Sequence, residues 1–179
     1  MFLSLFTNSF EVISDKKGPN NKIVNLIDAL AILPSRLDNT NARDFTSNVQ
    51  TFTDSIALIN NRDLKTNYEK EIYKDAQRIE RMVDALESAW KKRISDGTYY
   101  GGSGYTSYYC SVLRPSVARF NRAAGRELVR YNGYSTKAWL GGTTEECSPQ
   151  EYQMVSAIKK EIKKLQNQPK SQFKLKTPW

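Results

Sequence analysis

The chain has 179 residues, of which 39 % are apolar, and 27 basic against 19 acidic side chains give a net charge of +8. That length suits one domain with a sizeable core, and the regular spacing of the apolar residues excludes global disorder. There is no histidine, and there are two cysteines. The usual general base at neutral pH, the commonest metal ligand and any Cys-x-x-Cys metal knuckle are therefore missing, and neither a metal nor a cofactor is expected.

The positive charge is unevenly placed. Residues 1–60 carry 5 basic and 6 acidic groups and residues 61–96 carry 9 and 8. Residues 97–147 carry 6 and 3, and residues 148–179 carry 7 and 2. The excess lies in the second half, which is where an anionic partner is expected to bind.

Residues 1–21 read as an apolar arm with Phe2, Leu3, Leu5, Phe6, Phe10, Val12 and Ile13, ending in the turn-rich Lys16-Lys17-Gly18-Pro19-Asn20-Asn21. The arm either folds back on its own core or lies on a neighbouring chain. Its start has no basic flank and no small-residue cleavage site, so it is not read as a signal peptide. No stretch approaches the roughly 18 apolar residues of a membrane span. A soluble or peripheral protein is expected, and the compartment stays open.

Residues 22–168 are expected to form a bundle of four or five helices, an all-α fold. Ile23, Leu26, Ile27, Leu30 and Leu33 predict a first helix over 22–33, ended by Pro34. Asn41 is positioned to cap a second, whose Ala42, Phe45, Val49, Phe52, Ile56 and Ile59 alternate steps of three and four. The short Asn60-Asn61 link makes this helix an antiparallel hairpin partner of the next.

That next helix, over Asn61–Gly97, is the one around which the rest is organised. Tyr68, Ile72, Asp75 or Ala76, Ile79, Val83, Leu86, Trp90 and Ile94 form one apolar stripe. Asn61 and Asp63 are candidate caps, Lys91-Lys92-Arg93 suits the negative end of the helix dipole, and Asp96-Gly97 is the stop signal.

Residues 97–109 are a Gly/Tyr-rich loop, suited either to binding or to packing on the bundle. Pro115 predicts the first turn of a fourth helix with Val117, Phe120, Ala124, Leu128 and Tyr131 inward and Gly125 in its interior. Residues 132–147, with Trp139 and Leu140, read as a second loop, and no strand series is expected. Ser148-Pro149-Gln150-Glu151 announces a fifth helix through a capping serine, an N-terminal proline and a capping-box glutamate. Its apolar face is Tyr152, Val155, Ile158 or Lys159, Ile162 and Leu165, and Pro169 closes it. A basic, aromatic tail over 169–179 contains Lys170, Phe173, Lys174, Lys176 and Trp179.

Two constellations point to anion binding. Arg119, Arg122, Arg126 and Arg130 are spaced to share one face of the fourth helix, and Arg114 extends the row. Like charges at these steps disfavour a helix, whereas a row of guanidinium forks suits phosphate. The structural alternative pairs them with Asp75, Glu80 or Asp84 on other helices. Lys159, Lys160, Lys163 and Lys164 on the fifth helix are the second candidate, or an ordinary solvated face.

Phe2, Phe6, Phe10, Tyr99, Tyr100, Tyr105, Tyr108, Phe173 and Trp179 are candidate partner contacts, with other protein chains in a homo- or hetero-assembly. Catalytic residues are not expected. The central helix interleaves Glu69, Glu71, Asp75, Glu80, Asp84 and Glu87 with Lys70, Lys74, Arg78 and Arg81, the pattern of a solvated or salt-bridged face. Gly101-Gly102-Ser103-Gly104 lacks the nucleophile-elbow spacing, and Gly141-Gly142-Thr143-Thr144 lacks the lysine of a phosphate loop. Cys110 and Cys147 are either bonded or free; their spacing leaves both open. The expected function is a non-enzymatic structural or assembly subunit of coat or packaging type that contacts nucleic acid. The alternative is a peripheral subunit or linker docked on a larger protein or membrane complex.

Overall fold

The computed structural model describes residues 20–38, 44–95, 107–137 and 142–166. They form five α-helices and one small antiparallel hairpin. The all-α bundle expected from the periodicity is what forms.

Helix α1 (Asn21–Asp38) starts where the Asn20 carboxamide accepts the Lys22 N–H at 3.2 Å. It runs on through Pro34, contrary to the stop expected there. A proline inside a helix costs about 3 kcal/mol. The extra turn buries Leu37, which is 2 % exposed, and that burial contributes about 1.5–3 kcal/mol in return. Helix α2 (Phe45–Ala57) starts three residues later than Ala42, behind Asp44 at its N-cap. Asn41 and Ala42 lie outside the described residues. Phe45, Val49, Phe52, Ile56 and Ile59 are all buried, as their spacing requires.

Asn61–Asp63 is a 3₁₀ turn of its own, closed by a capping box between Asn60 and Asp63. It also anchors the start of α1, because Lys22 Nζ meets the Asp63 carboxylate at 2.8 Å and the Asn20 amide donates to the Asp63 carbonyl at 2.9 Å. The long helix α3 (Asn67–Ser95) therefore begins six residues later than Asn61. Its true cap is Thr66. The Thr66 hydroxyl accepts the Glu69 N–H at 3.1 Å, while the Glu69 carboxylate accepts the Lys65 and Thr66 N–H groups at 2.6 and 2.8 Å.

Along α3, Ile72, Ala76, Ile79, Val83, Leu86 and Trp90 are buried as expected, and so is a second stripe of Met82, Ala85 and Ala89. Two stripes are needed because α3 is packed on more than one side, touching α1, α2, α4 and α5. Ala76, fully buried, takes the inner position beside Asp75, whose carboxylate faces Arg78. Helix α2 runs antiparallel to α3: the Phe45 and Trp90 rings stand edge-on at 4.9 Å, and at the other end the Tyr73 hydroxyl donates to the Ile59 carbonyl at 3.3 Å.

Helix α4 (Ser107–Ala124) begins eight residues before Pro115, inside the segment expected to be loop. Tyr109, Cys110 and Leu113 are fully buried there, and three such side chains outweigh the cost of Pro115 in the helix interior. Helix α4 ends at Gly125, which is therefore not an interior residue as its spacing suggested. Gly125 has φ +73°, its N–H bonds the Arg122 carbonyl at 3.1 Å, and the Arg126 N–H reaches the Asn121 carbonyl at 3.2 Å. This left-handed closure satisfies the last free carbonyls of the helix. Leu128 and Tyr131 are thus half-buried in the following segment rather than on α4. That segment is held by the Asn121 carboxamide, which accepts the Leu128 and Val129 N–H groups at 2.9 and 3.1 Å.

Residues 133–147 correct a second expectation. Strands β1 (Gly133–Lys137) and β2 (Thr143–Cys147) pair antiparallel, Gly133 opposite Cys147 and Lys137 opposite Thr143. Trp139 and Leu140 lie outside the described residues. A Cβ at Gly133 would meet the outer end of Tyr131, hydroxyl included, at 2.4–2.5 Å, so a larger residue there has to displace that ring. The Cys110–Cys147 disulfide, with a Cα separation of 5.7 Å, fastens the hairpin to α4.

Helix α5 (Glu151–Gln166) buries Met154, Val155, Ala157, Ile158 and Ile162. Of the two residues offered for its inner face, Ile158 takes it. Two expectations change. Glu151 is carried into the core, where its carboxylate accepts the buried Tyr109 hydroxyl at 2.5 Å. Tyr152 is 67 % exposed, its ring edge-on to Trp90 at 6.4 Å. Among the described residues no helix is long and apolar enough to cross a membrane.

Candidate anion-binding groove

The arginine row does not survive folding as a row. Gly125 turns the chain out of the helix, so Arg126 and Arg130 leave the face that carries Arg119 and Arg122. Arg126 is drawn to Glu161 of α5, which also receives Arg78 of α3 at 2.8 Å and Lys164 at 2.9 Å. Glu161 is 3 % exposed. Burial pushes its carboxyl up, but hydrogen bonds from Arg78, Lys164 and Arg126 outweigh that and hold it down at about 2. This is a structural ion cluster joining three parts of the bundle.

Arg114 is likewise engaged, since its guanidinium meets the Glu145 carboxylate of β2 and lies over the Tyr131 ring, 5.1 Å from the centroid. The Tyr131 hydroxyl donates to the same carboxylate at 2.7 Å. Burial first, then Glu145, pushes that hydroxyl up to about 12, against the opposing pull of Arg114. Arg114 therefore belongs to the seam between α4 and the hairpin. The acids that take these arginines are Glu145 and Glu161, not Asp75 or Glu80.

Arg119 and Arg122 have a different setting. With Arg81 of α3 they line a groove of about 330 Å³ between α3 and α4, floored by Ala85 and Ala123 and holding one carboxylate, Asp84. The small floor residues leave the depression open between the two helices. All three guanidinium groups are exposed, and none makes an ion pair within 4 Å among the described residues. Burial raises the Asp84 carboxyl, and Glu87 raises it further, while Arg119 and Lys91 pull it down. Glu80 is raised in the same way, by burial and then by Asp84, against Arg81. The groove thus presents three planar donor forks beside one carboxylate, and guanidinium forks of this kind match the geometry of carboxylate and phosphate anions.

Neither a protein-family model, a curated protein nor a solved structure matches this chain.

The lysines of α5 do not join the groove. Lys164 faces Glu161, and Lys160 and Lys164 line a second depression of about 540 Å³ along α5 with Glu127, Leu128 and Tyr152. Lys163 is exposed and Lys159 half-buried. Arg130 is exposed in the segment after α4, where its carbonyl accepts the Gln150 amide. Phe2, Phe6, Phe10, Tyr99, Tyr100, Tyr105, Phe173 and Trp179 lie outside the described residues, as does the side chain of Tyr108. Arg81 is a groove residue that the sequence does not single out. Its spacing from the carboxylates of α3 reads as a salt-bridged face, and only the packing of α4 reveals it as a partner of Arg119 and Arg122.

Proposed function

We propose that the chain is a non-enzymatic structural or assembly subunit of coat or packaging type, and that it grips the phosphate backbone of nucleic acid in the groove between α3 and α4. The observation that carries the reading is the convergence of Arg81, Arg119 and Arg122 on one depression beside a single carboxylate, Asp84, with no ion pair within 4 Å among the described residues. Arg114 and Arg126 of the expected row are taken up by Glu145 and Glu161, and Arg130 lies beyond the end of α4, so the proposed surface is smaller than the spacing suggested. A net charge of +8 favours approach to a polyanion.

The test is salt dependence. Log affinity for an arbitrary 20-nucleotide strand should fall linearly with log salt, and Arg119→Gln with Arg122→Gln should flatten that slope by about two, one per lost contact. Thermal stability should change little, since neither arginine makes an ion pair within 4 Å among the described residues and Arg119 acts on Asp84 only at longer range. A wild type that binds no nucleic acid at low salt rules the reading out.

A second reading, a peripheral subunit docked on an acidic protein or membrane complex, is favoured by the Cys110–Cys147 disulfide. Such bonds form and persist in oxidising settings, among them secretory lumens and cell surfaces, where protein and membrane complexes are at hand. Saturable binding to one complex, abolished by the same double substitution and indifferent to added nucleic acid, would support it.

A further inference from the structure

Asp84 stands out in a groove built for anions. An ionised carboxylate only accepts hydrogen bonds. Toward phosphate it is repulsive, and it offsets one of the three guanidinium charges that line the groove. It lies one turn of α3 beyond Arg81, an axial rise of about 4.5 Å. It is only partly screened from solvent and feels Arg119 and Lys91, but it makes no ion pair within 4 Å among the described residues, so its oxygens can accept from a ligand. The floor is made of Ala85 and Ala123 and offers no competing side-chain hydrogen bond.

A strand lying on the three arginines presents its phosphates to them and its sugar edge to whatever stands beside them. Ribose carries a 2′-hydroxyl donor there, whereas deoxyribose carries none. Resting on the nucleic-acid reading above, we infer that Asp84 is a specificity-determining residue that accepts the ribose 2′-hydroxyl, so that the α3–α4 groove selects single-stranded RNA over DNA. With RNA the carboxylate is repaid by a hydrogen bond to a charged acceptor. With DNA it contributes only repulsion toward the phosphates.

The experiment compares a uridine 20-mer with a deoxyuridine 20-mer, which share the base and differ only at the sugar hydroxyl, by fluorescence anisotropy on the full chain. Wild type should bind the RNA strand roughly tenfold more tightly, the factor expected from one hydrogen bond to a charged group. Asp84→Ala should tighten DNA binding through lost repulsion and bring the ratio close to one, with the salt slope unchanged because the arginines remain. Circular dichroism checks that the variant keeps its helices, as an exposed position on α3 should allow. Equal wild-type affinities, each with a steep salt slope, would overturn the role of Asp84 while leaving phosphate binding intact. A ratio that survives Asp84→Ala would overturn it too. Binding to neither strand would remove the nucleic-acid reading and this inference together.

Discussion

Arg78 of α3 donates to Glu161 of α5 at 2.8 Å across 83 positions of sequence. Arg126 reaches the same carboxylate from beyond the end of α4, so one buried acid ties together three segments. Glu161→Gln would leave the half-buried Arg78 with only the longer contact to Asp75, at 3.4 Å, as an ion pair among the described residues. Breaking a buried pair on one side costs about 3–5 kcal/mol. Urea unfolding should show a loss at the lower end, since Arg126 is half-exposed at 49 %. A loss under about 1 kcal/mol would mean that the cluster is merely a surface feature.

The same residue sets an acid limit. Its carboxyl sits near 2 in the folded chain, below the ordinary 4.5 that the unfolded chain would have. Above the unfolded value both states are ionised and the stabilisation is fully present. As pH falls below it, the unfolded chain takes up the proton first, and stability drains away until the folded carboxyl is protonated near 2. The contribution lost is on the order of 2–3 kcal/mol after allowance for solvent around Arg126 and Lys164. Stability measured against pH should fall across this window in wild type and more shallowly in Glu161→Gln. Parallel curves would show that other acids govern the decline.

Cys110 and Cys147 are the only cysteines of the chain and close a loop with a sequence separation of 37. Loop-closure entropy assigns such a bond roughly 4 kcal/mol. Thiol titration of the unreduced, denatured protein should therefore find no free thiol, and the Cys110→Ala, Cys147→Ala variant should unfold at markedly lower denaturant. Two titratable thiols in protein prepared under oxidising conditions would refute the bond.

Leu86 is fully buried on α3. Leu86→Ala should cost about 2–5 kcal/mol, the range for a large-to-small change in a packed core. A cost below half a kcal/mol would contradict the packing described for the inner face of α3.

Gly125 supplies a prediction whose sign decides between two structures. At φ +73°, with nothing within 4 Å of an added Cβ, Gly125→Ala meets no clash and is penalised only by its backbone, by about 1 kcal/mol. Were α4 continuous through this position, the same change would stabilise by about 1 kcal/mol. A stabilised variant would restore the single arginine row.

The helical faces were legible in the sequence because burial of a helix demands a 3.6-residue period, and that demand is local. Val49, Phe52, Leu86 and Phe120 follow from spacing alone, as does the central place of α3. The helix ends were less legible. Pro34 and Pro115 are local breakers of about 3 kcal/mol each, but burial of Leu37, Tyr109 and Leu113 is a tertiary term of similar or greater size, and it prevails. Gly125 went the other way, since a single left-handed residue ends a helix that its apolar spacing would continue. The Thr66–Glu69 box is a capping motif in the sequence, but Asn61 and Asp63 offer an equally good earlier start, and only the 3₁₀ turn at 61–63 separates the two. The site was half legible. Arg119 and Arg122 were marked by type and spacing, whereas Arg81, Asp84 and the removal of Arg114 and Arg126 to carboxylates were decided by packing. Charge type is written residue by residue, but which acid meets which base depends on how distant helices lie against each other. That geometry exists only once the core has closed.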